Sequence, residues 1–147
     1  MEVELIPDSV IPNRSYLPEG LVGGTISQRV YLDTAAANFP LTDKLPKGAW
    51  VEAIAVDVPT AITAVTAVKL SVGRLTTTAD PDKYWISTNL TAASYEGKPL
   101  NSGSVTADET LAVFACATDG TAAGTIGAAG EYVDVRIMYF QAGAIFP

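Results

Sequence analysis

From Glu131 to Gln141 (EYVDVRIMYFQ) the side chains alternate, with Val133, Val135, Ile137 and Tyr139 on one parity and Asp134 and Arg136 on the other. An extended chain with that pattern turns one face to a core and the other to water. Tyr132, Met138 and Phe140 add apolar weight at the ends of the polar face. The segment therefore predicts a central strand whose outer face is partly covered by another chain segment or subunit. Period-two alternation recurs in Thr25 to Asp33, where Ile26, Val30 and Leu32 share a parity with Gln28, and in Thr66 to Gly73, where Val68, Leu70 and Val72 alternate with Lys69 and Ser71. In Trp50 to Val58, the residues Ile54, Val56 and Val58 fall with Trp50 and Glu52. Ala53 and Ala55 face the other way, small enough for another layer to approach. Glu109 to Ala117 sets Leu111 and Val113 against Phe114 and Cys116 and predicts a strand buried on both sides. Tyr84 to Ile86 predicts a short strand, Ala93 to Glu96 a weak one and Phe39 to Leu41 a brief extended piece.

Between these runs lie turn signals: Leu45-Pro46-Lys47-Gly48, Pro59, Asp80-Pro81-Asp82, Asp119-Gly120 and a low-complexity stretch with Gly124, Gly127 and Gly130. No stretch carries apolar residues at helical spacing for three turns, and the many β-branched residues disfavour helix. The pattern predicts an all-β protein, a single-domain antiparallel β-sandwich of jelly-roll type over residues 25–147, with an immunoglobulin-type sandwich as the alternative. Residues 1–24 differ. Pro7, Pro12 and Pro18 exclude a helix or a central strand, while apolar residues come in pairs: Leu5-Ile6, Val10-Ile11, Tyr16-Leu17 and Leu21-Val22. They predict an extended arm that packs on its own domain or on a partner, with Leu5, Ile6, Val10, Ile11, Tyr16 and Leu17 as its contact residues.

Charge and composition narrow the chemistry. The net charge is −7, and the nine Lys and Arg residues are scattered, which disfavours a nucleic-acid partner. No segment has the roughly 18 apolar residues of a membrane span, and the acidic start argues against a secretory leader. The single cysteine, Cys116, sits in an apolar run and reads as a small buried hydrophobe. With no histidine in the sequence, Ser-His and Cys-His nucleophile systems are excluded, and no cofactor motif stands out. Asp80-Pro81-Asp82 reads as a solvated turn, with a calcium site as the sharper alternative. Tyr84 and Trp85, adjacent on a strand, should point to opposite faces, so core packing competes with a ligand platform for sugar stacking.

The proline-broken arm, the small-residue-rich sandwich, the run Val68 to Gly73 (VKLSVG), the Tyr84-Trp85 strand and the final strand with its short tail resemble the small jelly-roll structural proteins of tailed bacteriophage virions. These decorate or cement the capsid surface, often as trimers. Thr118 to Gly124 (TDGTAAG) is similar to an Asp-Gly turn of lambda-type head decoration proteins. The resemblance implies a non-enzymatic homotrimer that binds the major capsid protein lattice through its arm and loops. It would be assembled in the host cytoplasm and located at the virion surface. The competing class is a carbohydrate- or receptor-binding head of a phage fibre or adhesin, using the loops around Asp80 to Trp85 and Asn101 to Ser104.

Overall fold

The computed structural model describes residues 21–76 and 78–142. Its strands are β1 (Leu21–Tyr31), β2 (Asn38–Leu45), β3 (Ala49–Val58), β4 (Ala64–Val65), β5 (Lys69–Arg74), β6 (Asp80–Ile86), β7 (Ala93–Gly97), β8 (Glu109–Cys116), β9 (Thr125–Ile126) and β10 (Tyr132–Ala142). Two four-stranded antiparallel sheets, β1-β10-β3-β7 and β2-β8-β5-β6, face each other, and β4 pairs with β9 in a small third sheet. Pairing runs from the outside of the chain inward: β1 with β10, β2 with β8, β3 with β7 and β5 with β6. The described chain is thus an antiparallel β-sandwich of two layers.

Alternation explains the core. Ile26 and Val30 of β1, Val133, Val135 and Ile137 of β10, and Ile54, Val56 and Val58 of β3 point inward from one sheet. Leu70 and Val72 of β5 and Leu111, Val113 and Ala115 of β8 meet them from the other. Each such aliphatic side chain contributes roughly 1.5–3 kcal/mol on full burial. As the pattern indicates, β8 is buried on both faces: Ala112, Phe114 and Cys116 form a second cluster on the outer side with Leu75. β10 takes the central place, between β1 and β3.

Departures from the sequence expectation occur where strands bulge. A shift of register between Met138 and Tyr139 leaves Glu52 as an extra residue on β3, so Val51 faces inward opposite Tyr139 and Trp50 faces outward opposite Phe140. Trp50 therefore does not share the face of Ile54. Residues 34–48 are not mostly loop. β2 spans Asn38–Leu45; Leu41 and Leu45 share a parity and both reach the core, while a bulge opposite Leu111 leaves Asp43 between them exposed. Pro40 is tolerated because β2 is an edge strand. β1 begins at Leu21, so Leu21 to Gly24 pair with Ala142 to Tyr139 and lie within the sheet rather than in an arm. The expected loop at 74–83 contributes the start of β6, and the glycine-rich stretch contributes β9.

Two glycines are fixed by close approach. The ring of Tyr139 occupies the space a Cβ on Gly24 would need, and the Asp80 and Pro81 carbonyls cross the place of a Cβ on Gly73. At Gly73 the obstruction is backbone and cannot swing away. Gly73→Ala should therefore lower stability by about 1–3 kcal/mol, read as a lower urea midpoint at constant slope. An unchanged midpoint would refute the β5–β6 crossing.

Candidate functional site

Leu5, Ile6, Val10, Ile11, Tyr16 and Leu17 lie outside the described residues. Tyr84 and Trp85 both lie in the core, 0% and 8% exposed, instead of on opposite faces. Register explains this: Val72 pairs with Trp85 and Arg74 with Asp80, so Pro81 to Tyr84 bulge out opposite Gly73 alone and strict parity is lost. Tyr84 therefore offers no platform to a ligand. Its hydroxyl donates to Glu109 Oε1 at 2.5 Å, and Lys83 Nζ donates to Glu109 Oε2 at 2.7 Å. Arg74 stands 3.9 Å from the same carboxylate. Glu109 is a buried acid with both oxygens engaged, at the wall of a polar cavity of about 420 Å3 that Thr76, Thr78, Ser104 and Thr106 also line.

Other reactive groups are also tied down. The Cys116 thiol is buried and lies 3.1 Å from the Ser71 hydroxyl; burial pushes its pKa up, and the Ser71 contact only partly opposes that. Ser71 in turn donates to the Pro81 carbonyl. Asp80, Asp82 and Asp119 are not gathered into a metal-holding group among the described residues. Instead Asp82 sits against Gly120 at the tip of the β8–β9 connection, and Asp119 accepts from the Thr121 hydroxyl and amide, which lower its pKa.

Two surfaces remain. The first is the outer face of the β1-β10-β3-β7 sheet. At one end Tyr31 and Tyr132 pack with ring centroids 6.2 Å apart, and Arg29 lies over Tyr132 while its guanidinium grips Asp134 at 2.9 and 3.1 Å. At the other end Trp50 pairs with Phe140 at 6.1 Å beside Met138, which is 45% exposed. Between them the small Ala53 and Ala55 of β3 form the floor of a shallow trench walled by Arg136 and Met138 on β10 and Glu96 on β7. The sequence signals this face through Ala53, Ala55 and the outward residues of β10. The second surface is a cleft between β6 and β7 built on Tyr95 and Leu100. Sequence reasoning missed both residues, because β7 is short and carries no strong alternation.

Burial, reinforced by the bond to Glu109, pushes the Tyr84 phenol far above its ordinary value of about 10. Its folded pKa is raised, so its stabilising effect is whole below pH ~10 and is lost as pH rises beyond that. Ultraviolet titration should leave Tyr84 un-ionised in the native protein and ionised in urea; equal titrations in both would contradict the buried contact. Lys83→Met strands the Glu109 carboxylate and should cost about 3–5 kcal/mol in urea unfolding. A loss under about 1 kcal/mol would place the pair in solvent instead.

No protein-family model matches the chain, and no curated protein matches it. Among solved structures it is similar to a chain of the acidic stable capsid of Helicobacter pylori bacteriophage KHP30. The TM-score is 0.51 at 13% identity, covering 83% of this chain and 90% of that one. It is also similar to a chain of the cyanophage Pam1 capsid asymmetric unit, with a TM-score of 0.46 at 18% identity, over 82% of this chain and 83% of that one. The first likeness is one of fold: the antiparallel β-sandwich is common to most of both chains.

Proposed function

We propose that the protein is a non-enzymatic virion structural protein that binds the major capsid protein lattice of a phage and stabilises or decorates its outer surface as a homotrimer. The observation that carries this reading is the sandwich held in common, over 83% of its length, with a chain of a phage capsid. The outer sheet face, open among the described residues, supports it. A wide, gently troughed surface with aromatic and methionine side chains at its ends suits contact with another protein, since such side chains are enriched where interfaces form. Engagement of Glu109 by Lys83 and Tyr84, and burial of Cys116, support a structural role for the side chains that would otherwise be candidates for chemistry. Three linked copies would multiply a modest affinity for a repeating lattice without new contacts.

Residues 1–20 are proposed as the lattice-binding arm, with Leu5, Ile6, Val10, Ile11, Tyr16 and Leu17 as its anchors. Apolar pairs stiffened by prolines lose little entropy on docking. A truncation must stop short of Leu21, because Leu21 to Gly24 are paired in β1. Co-expressed with phage capsid proteins that form particles, the full chain should co-sediment with those capsids in constant ratio to the major capsid protein. Deletion of residues 1–20 should keep the β-sheet circular dichroism and lose most of that co-sedimentation. A full chain that stays in solution while particles form overturns the capsid reading; a truncated chain that still co-sediments removes the arm from it.

A further inference from the structure

The two sheets end side by side on β6 and β7, and there a cleft of about 360 Å3 opens between them. Its apolar wall is made by Trp85 at the base, Tyr95, 39% exposed, and Leu100, 64% exposed at the lip. The indole and phenol rings stand 6.4 Å apart with planes inclined at 39°. Thr88, Asn89 and Thr91 also line the cleft and no carboxylate does, while Lys98, just past the strand of Tyr95, has its ammonium 3.8 Å from the Glu52 carboxylate. Tyr95 also borders the trench of the outer sheet face, whereas Trp85 and Leu100 line the cleft alone.

The cleft is preorganised. The Tyr95 hydroxyl donates to the Lys98 carbonyl at 2.8 Å, which fixes the ring. The Leu100 amide donates to the Tyr84 carbonyl at 2.9 Å and holds the lip against β6. On the rim, Asn89 Oδ1 accepts from the Thr91 amide and hydroxyl, which turns the Asn89 NH2 group away from that turn. The Leu90 carbonyl accepts from Ile62 and anchors the same loop to the body. A ligand that fits pays little to order these groups.

The chemistry of the walls selects the ligand. A purely apolar plug, such as a peptide side chain or an acyl chain, would cover the rim amide and hydroxyls without replacing their water, which is costly. A cationic group finds no acid in the cleft. A pyranose ring satisfies both kinds of surface at once, with C–H groups against aromatic and aliphatic side chains and hydroxyls for the Asn89 amide and the threonine hydroxyls. We infer that the cleft between β6 and β7 is a carbohydrate-binding site, in which a pyranose of a neutral glycan packs on Tyr95 and Leu100 and hydrogen-bonds to Asn89 and the threonines beside it.

The test is saturation-transfer NMR and calorimetric titration of the full chain with a panel of neutral oligosaccharides built from glucose, galactose, mannose or N-acetylglucosamine. At least one should bind at about millimolar concentration or below, with transfer from tyrosine ring protons. Tyr95→Ala should weaken it by about tenfold or more. Leu100→Ser alters an exposed side chain and cannot unfold the core, so it should weaken binding even where Tyr95→Ala fails to fold. Tyr31→Ala, on the open sheet face, should leave binding unchanged, and Leu100→Ser should leave capsid co-sedimentation unchanged. Failure of every oligosaccharide to bind, binding that survives Leu100→Ser, or binding of apolar peptides alone overturns the proposal.

Discussion

The antiparallel pairing of β1 with β10 is the constraint on which the other contacts depend. Leu21 lies opposite Ala142 and Tyr31 opposite Tyr132, so the ladder joins the two ends of the described chain along its whole length. β10 then pairs on its other side with β3. Until β10 is inserted, β1 and β3 have no common neighbour, and the inward Ile26, Val30, Ile54 and Val56 lack the valines and isoleucine that complete their layer. Such non-local closure orders a long loop before any contact rewards it, so folding should be slow relative to its stability. Gly24 serves the same seam: only a residue without a Cβ leaves room for Tyr139, whose ring covers the bare backbone there.

The second sheet is secured differently. Its outer face is sealed by its own chain, with Leu75 over Ala112, Phe114 and Cys116, the Pro81 carbonyl on Ser71, and Ala122 bridging to Cys116. Glu109 belongs to the same economy. On the inward parity of β8 a carboxylate would be an isolated buried charge, and it is tolerable because Lys83 and Tyr84 reach it from the bulge of β6. Among the described residues one sheet thus has its outer side closed by its own loops and the other has its outer side open, an asymmetry that a symmetric reading of the hydrophobic pattern does not contain.

What the sequence disclosed follows from that geometry. β1, β3, β5, β8 and β10 were legible because a strand with a core on one face must alternate, and β8 because it must not. β2 and the start of β6 were obscured, since wide bulges leave Asp43 exposed between Leu41 and Leu45 and bring the adjacent Tyr84 and Trp85 both into the core. β4 and β9 are two residues each, too short to carry any period. Of the candidate residues, Tyr84 and Trp85 were drawn to notice by aromatic content, but which way they point depends on a register set by Gly73 and Pro81. Tyr95 and Leu100 left no trace, because exposed apolar residues in a weak strand resemble ordinary loop composition. Ala53 and Ala55 were informative for the opposite reason, since small residues alternating with large aliphatic ones signal a face that something can approach.

The irregular positions are also where the surfaces are made. The extra residue at Glu52 turns Trp50 outward to join Phe140 and Met138, and gives the open sheet an aromatic end that perfect alternation would have buried. The bulge of Pro81 to Tyr84 leaves the Tyr84 carbonyl to receive the Leu100 amide, and so carries Leu100 to the lip of the cleft beside Tyr95. A regular eight-stranded sandwich with these same core residues would have neither feature. Bulges break the ladder locally and leave a residue unpaired, so they persist where the surrounding packing over-determines them. In this chain that packing is the β1–β10–β3 seam on one side and the Glu109 contacts on the other, which ties the stability of each sheet to the one surface feature it displays.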